Sequence, residues 1–237
     1  MPIQAVDSDR LYRKIARQLS ELIAAGEFIP GQRLPAERVL AQQLGGSRPS
    51  VREALIALEI EGKVEVRVGS GVFVAEPRRH PVPRELEGEG PFELLRARQV
   101  VEGETAACAA REANPEEVAE IRATVEELRR AQATRPSTEA PDRAFHLAIA
   151  KATHNGPLLA VVQMLWDQGR GAIWKQMEKH FETPALRAAT LRDHRAVLVA
   201  VEAHDPRAAR SAMRRHLARV ARDFAHGWEQ KKRQRGP

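Results

Sequence analysis

Between Leu34 and Leu55 the chain reads Leu-Pro-Ala-Glu-Arg-Val-Leu-Ala-Gln-Gln-Leu-Gly-Gly-Ser-Arg-Pro-Ser-Val-Arg-Glu-Ala-Leu. Val39, Leu40 and Leu44 recur at helical spacing, Gly45 and Gly46 supply a permissive turn, and Ser47 is a good N-cap. Val51, Ala54, Leu55 and Leu58 then mark a second helix of the same period. Two short helices across a tight turn make a helix-turn-helix. The apolar set leaves Arg48 and Arg52 together on a different, outward face. At the start of a recognition helix an arginine fork matches O6 and N7 of guanine in the major groove. Taken alone, two arginines would more simply be solvated charges, with Arg52 leaning on Glu53 or Glu59. The turn, the cap, the helices and the hairpin that follows agree on one architecture, and that agreement favours a DNA-reading surface.

The flanks fit. From about Ser8 to Ala25, Leu11, Ile15, Leu19, Leu22 and Ile23 form one stripe, and Gly26 stands at the C-cap, which predicts a supporting helix. Pro30-Gly31 makes a turn, and Pro35 ends the connection. Ala36 sits where a capping serine would be useful, a deficit of roughly 0.5–2 kcal/mol. After the second helix, Lys63 to Val68 alternates polar with apolar, Gly69-Ser-Gly71 turns, and Val72-Phe-Val74 returns. The pattern predicts a β-hairpin wing. Val64, Val66 and Val68 can pack inward, while Arg67 and the glycines face out, where a phosphate or a minor groove could be approached closely.

A chain of 237 residues can hold two modest domains, and few aromatics with abundant alanine suit helices. The net charge of +6 suits a polyanionic partner. Residues 1–80 carry 12 Lys/Arg against 10 Asp/Glu, so the excess is not concentrated there and placement must carry the argument. Glu76 to Gly90 is rich in Pro, Arg, Glu and Gly without an apolar period and reads as a linker. The expected division is therefore a DNA-binding domain over 1–75, a linker over 76–90, a helical domain over 91–232 and a basic tail over 233–237. The single Cys108, in an Ala-rich run, excludes an internal disulfide framework. With no signal peptide and no bilayer-length apolar run, a cytoplasmic protein without membrane contact is expected.

The second half is punctuated by Asn114-Pro115, Thr183-Pro184 and Asp205-Pro206, each a capping side chain before an N1 proline. With starts near Phe92, Thr138 and Asn155 these predict about six helices in an antiparallel bundle, followed by a frayed basic end at Lys231–Arg235. Asp142 and His146 lie four residues apart on one helix face, and His194 and His216 sit on later helices among apolar neighbours. Three imidazoles and a carboxylate suit zinc, nickel, iron or manganese. Spacing alone leaves open whether they are ligands or ordinary satisfied histidines. His204, at a helix end, is of the second kind.

The stretches Pro30-Gly31…Leu34-Pro-Ala-Glu-Arg38, Leu44-Gly-Gly-Ser-Arg-Pro-Ser-Val-Arg-Glu-Ala-Leu55 and Gly69-Ser-Gly-Val-Phe-Val74 resemble the N-terminal domain of the GntR family of bacterial transcription regulators. The resemblance implies DNA contacts by Arg38, Arg48 and Arg52 and a wing glycine, Gly69, near the minor groove. Ser47, Ser50 and Arg67 complete the candidate DNA-binding set. Gly46 replaces a commoner aliphatic residue and Val72 a commoner threonine. The second domain resembles the FCD effector domain of the FadR subgroup, in its six-helix form. That resemblance implies a divalent metal on Asp142, His146, His194 and His216. It implies an Arg-x-x-x-Glu pair, Arg98 and Glu102, whose arginine could take an effector carboxylate, and a recurrent asparagine, Asn155. An i,i+4 surface ion pair is the alternative for Arg98 and Glu102, and a helix cap for Asn155.

The resulting expectation is a ligand-responsive, sequence-specific repressor or activator, not an enzyme. It would bind a pseudo-palindromic double-stranded DNA operator as a homodimer, hold a metal and respond to a small organic acid. Two rivals are a metal-dependent enzyme, for which no separate general acid or base is marked, and a metal sensor.

Overall fold

A computed structural model describes residues 11–67, 69–76, 90–134, 137–168 and 171–234. Val68, most of the expected linker and residues 235–237 of the expected tail lie outside them. The chain divides into two compact units. In the first, helix α1 (Leu11–Ala24) buries Tyr12, Ile15, Ala16 and Leu19. It ends as the sequence requires: Gly26, at φ +81°, turns the chain so that the Glu27 amide reaches the Leu22 carbonyl at 3.0 Å. Helix α2 (Glu37–Gln43) starts on Ala36 with no side-chain cap. Gly45, at φ +62°, makes the turn, and α3 (Arg48–Ile60) follows, its Ser50 amide donating to Ser47 Oγ at 3.2 Å.

Strands β1 (Val64–Arg67) and β2 (Gly71–Val74) pair antiparallel in the register Val64↔Val74 and Val66↔Val72. All four valines are buried, so the alternation read from the sequence sets the inner face. One element escaped the sequence reading. Residues 31–34, expected as turn and connector, lie along β2, with Gly31 donating to the Val74 carbonyl and Leu34 to the Val72 carbonyl.

The second unit is all helical: α4 (Pro91–Glu112), α5 (Pro115–Thr134), α6 (Glu139–Lys151), α7 (Gly156–Gln168), α9 (Pro184–Glu202) and most of α10 (Pro206–Gln234). Helix α4 packs on α6, α7 and α9, and its buried Ala106, Ala107, Ala109 and Ala110 let those neighbours approach closely. Asn114 and Glu117 exchange bonds as a capping box, Thr183 caps α9 and Asp205 caps α10. His204, at φ +48°, closes α9 and bonds the Ala110 carbonyl.

Among the described residues the expected six or so helices become seven, because α8 (Ala172–Phe181) also forms. Residues 171–180 belong to the first compact unit, where His180 Nε2 and Gln176 Nε2 contact Glu59 Oε2 at 2.7 and 3.0 Å. The other Glu59 oxygen accepts the Val66 amide of β1. The expected frayed end also differs, since α10 continues through Gln234. Cys108 is half-buried. Among the described residues, no helix is long and apolar enough to cross a membrane.

Candidate metal centre and DNA-reading face

Helix α6 places Asp142 and His146 one turn apart, α9 brings His194, and α10 brings His216. One ligand atom from each of these four residues lies within 4.8 Å of the others. The histidines are buried and Asp142 is half-buried. Each ring is held. His194 stacks on Phe145, with centroids 3.9 Å apart and planes within 14°. His146 Nδ1 contacts Glu102 Oε2, and His216 Nδ1 lies 3.3 Å from Asp193 Oδ2, which also accepts from Arg219 Nε at 2.6 Å. A carboxylate behind a histidine fixes the tautomer and leaves the opposite nitrogen as a lone-pair donor.

The electrostatics support the same form. Burial pushes His194 well below the usual histidine range, and the neighbouring His216 and His146 push it further. Burial also lowers His216, against the raising effect of Asp193. His194 and His216 are thus favoured in the neutral form, the state in which an imidazole binds metal. Asp142 Oδ1, His146 Nε2 and both His194 nitrogens are buried without a hydrogen-bond partner. His194 Nε2 lies 3.3 Å from Asp142 Oδ1; a divalent cation would satisfy the lone pairs of Asp142 Oδ1, His146 Nε2 and one His194 nitrogen, relieving about 1–3 kcal/mol for each. The residues fit such an ion.

Arg98 and Glu102 form a buried pair on α4, at 4% and 2% exposure, so the surface-pair alternative is wrong. Arg98 Nε donates to Glu102 Oε1 at 2.6 Å, and the guanidinium lies 3.9 Å from the Trp166 ring centroid. Burial would raise the Glu102 carboxyl, but Arg98 and His146 outweigh it and hold it at about 2. Glu102 therefore braces His146 and Arg98. Arg98 Nη2 and Trp166 Nε1 remain buried without a partner. Asn155 is exposed, and its Oδ1 caps α7 by accepting the Leu158 amide at 3.1 Å. The sequence reading missed Phe145, Trp166, Asp193 and Arg219, whose roles depend on contacts between helices.

In the first unit, Arg38, Arg48 and Gly69 line one notch of about 290 Å³, together with Arg33, Glu37 and Gly71. Ser47 and Ser50 sit at the adjoining start of α3 with their hydroxyls 2.9 Å apart. Arg67, on the wing, is exposed, pairs with Glu65 and lies 4.5 Å from the Phe73 ring centroid. Arg52 departs from expectation. It is 1% exposed, and its Nε and Nη2 grip both oxygens of Glu37 at 2.9 and 2.6 Å. The outward face predicted for it is replaced by an inward one toward α2, where Glu37 receives the guanidinium.

Residues 11–74 match the "Bacterial regulatory proteins, gntR family" and residues 93–219 the "FCD domain" family. The chain belongs to the GntR family, with an FCD domain. This GntR regulator is 38% identical over 224 residues to the Uxu operon transcriptional regulator of Escherichia coli, covering 91% of this chain and 87% of that one. It is also 38% identical over 221 residues to the Exu regulon transcriptional regulator of the same organism, at 91% and 84% coverage. Among solved structures, E. coli McbR/YncC shares the fold at a TM-score of 0.51 and 23% identity, over 91% of this chain and 97% of that one. The GntR protein is thus a DNA-binding transcription regulator. Its relatives are regulators, which sets aside the enzyme reading of the helical domain.

Proposed function

We propose that this regulator controls transcription from the cytoplasm in response to a small organic acid held beside a divalent metal ion. The observation that carries the proposal is the set of buried, unpartnered ligand atoms on Asp142, His146 and His194, closed by His216. Those four residues would hold zinc, nickel, iron or manganese. The ion would supply a Lewis-acidic site for a carboxylate. Arg98, braced by Glu102 and carrying a buried Nη2 without a hydrogen-bond partner, is the candidate to pair with an acid, and Asn155, which caps α7, is the further candidate of the effector site.

DNA reading falls to Arg38, Ser47, Arg48 and Ser50, with Arg67 and Gly69 on the wing and Arg52 set behind them. A homodimer on a pseudo-palindromic operator follows from the short reach of one recognition helix. Exposed Val161 and Met164 on α7 and Val100 on α4 offer apolar surface for the second copy.

The test uses DNA enriched from a random pool by the full-length protein. Native mass spectrometry should show two subunits with a metal in each, and adding organic acids should change DNA affinity only in the metal-loaded form. A metal-free protein that responds fully to an acid would overturn the metal-linked reading. A protein whose DNA affinity follows metal alone would be a metal sensor.

A further inference from the structure

The buried partner of Arg52 is the first residue of α2, and its place in the notch has a functional consequence. Among the described residues that line the notch, Glu37 is the sole carboxylate, and the other charged members are Arg33, Arg38 and Arg48. Its side chain is 10% exposed against 1% for Arg52, so the pair is largely removed from water. Two parallel bonds from a planar guanidinium fix both distance and orientation, which a single contact would not. The bonds span fifteen residues and join the start of α2 to the second turn of α3 across the Gly45–Gly46 turn. Glu37 also stands where α2 lacks a capping side chain, and an acid in the first turn of a helix offsets part of that deficit.

From these observations we propose that Glu37 is a positioning residue for DNA recognition: its carboxylate holds Arg52 and sets the angle between α2 and α3. Through that angle it places Arg38, on α2, and Arg48, on α3, at one spacing for the bases and phosphates they meet. The carboxylate makes no favourable DNA contact of its own, since a free acid beside phosphates repels them. Its negative charge is tolerated in the notch because Arg52 neutralises it. The proposal goes beyond the assignment of a reading face and rests on it.

The test compares full-length wild type, Glu37→Gln, Glu37→Asp, Arg52→Lys, the Glu37→Gln/Arg52→Lys double variant and Arg48→Ala. Each is measured by fluorescence anisotropy on the wild-type-selected duplex and on a scrambled duplex, across salt concentrations, at a temperature where circular dichroism shows every protein folded. Glu37→Gln should lower the ratio of specific to non-specific affinity by about tenfold or more, within the range one bidentate base contact carries, and leave the salt slope unchanged. Arg52→Lys keeps the charge but loses the fork, so it should fall by a similar factor. The double variant should fall no further than either single one, because the two residues act as one unit. Glu37→Asp, which shortens the acid, should recover part of the ratio.

If Glu37→Gln binds the selected duplex as well as wild type, or more tightly, the carboxylate merely repels DNA or masks Arg52, and the proposal fails. Losses that add in the double variant would also sink it. A purely structural role would lower the melting temperature but leave the base preference of the folded protein intact. If Arg48→Ala keeps the full preference, the reading face itself has been misplaced, a failure distinct from that of Glu37.

Discussion

Replacing Glu102 by Gln removes one negative charge from a buried site and keeps the shape. In the native chain that carboxylate receives Arg98 Nε and touches His146 Nδ1, at 2% exposure. Its carboxyl is held at about 2 rather than 4.5, with burial opposing the shift and Arg98 and His146 overcoming it. A depression of that size corresponds to about 3 kcal/mol of folding stability. Because the folded value is the lower one, the contribution is complete above pH 4.5 and disappears as pH falls through about 2. Linkage reduces it to about half or less of that at pH 3.

Urea unfolding of chelator-treated wild type and Glu102→Gln should therefore show a gap of about 3 kcal/mol at pH 7 that shrinks by about half at pH 3. In a parallel calorimetric titration, losing the brace behind His146 should weaken metal binding by about 10- to 100-fold. A gap equal at both pH values would refute the reasoning, because it would mean that the charge of Glu102 contributes nothing and that its shape alone matters.

Three further outcomes are expected. Ser47→Ala removes the hydroxyl that receives the Ser50 amide and should cost about 0.5–2 kcal/mol in urea unfolding, with a matching loss of operator affinity as the start of α3 loosens. Gly71→Ala places a methyl on a backbone at φ +119° and 2.6 Å from Arg33 Nε; it should destabilise by roughly 1–3 kcal/mol, and an unchanged melting temperature would show that the wing relaxes freely. His194→Ala should abolish metal uptake and response to acids while DNA binding persists, read by metal analysis and operator titration. A variant that loses metal but still responds would move the effector site to Arg98 alone.

The parts of this fold that were legible in the sequence are those specified locally. Ser47, Asn114, Thr183 and Asp205 cap helices that begin where the residues say they should, because a cap and its amide lie within one turn of each other. The hairpin was legible for the same reason: alternating valines and two turn glycines are neighbours in sequence. Helix α8 was not, since Ala172 follows Gly171 with no Ser, Thr, Asp or Asn to announce a start. Arg52 was misplaced because periodicity separates a helix into faces without saying which side chain will find a partner on another helix, and Glu37 lies across the turn. The candidate metal residues came from their types and from resemblance. Their supports, Glu102 behind His146 and Asp193 behind His216, are visible only when α4, α6, α9 and α10 are brought together.

The Glu59 contact changes what can be cut from this chain. A fragment ending at residue 76 would contain every element of the winged helix-turn-helix, yet Glu59 would keep its bond to the Val66 amide and lose Gln176 and His180. The sequence boundary between domains is thus not the boundary of the folded part. Grafting residues 1–76 onto an unrelated sensor would strand a half-buried acid at the end of the recognition helix. A working chimera would need to carry a surrogate for α8, so the modularity suggested by two separate family matches stops short of that helix.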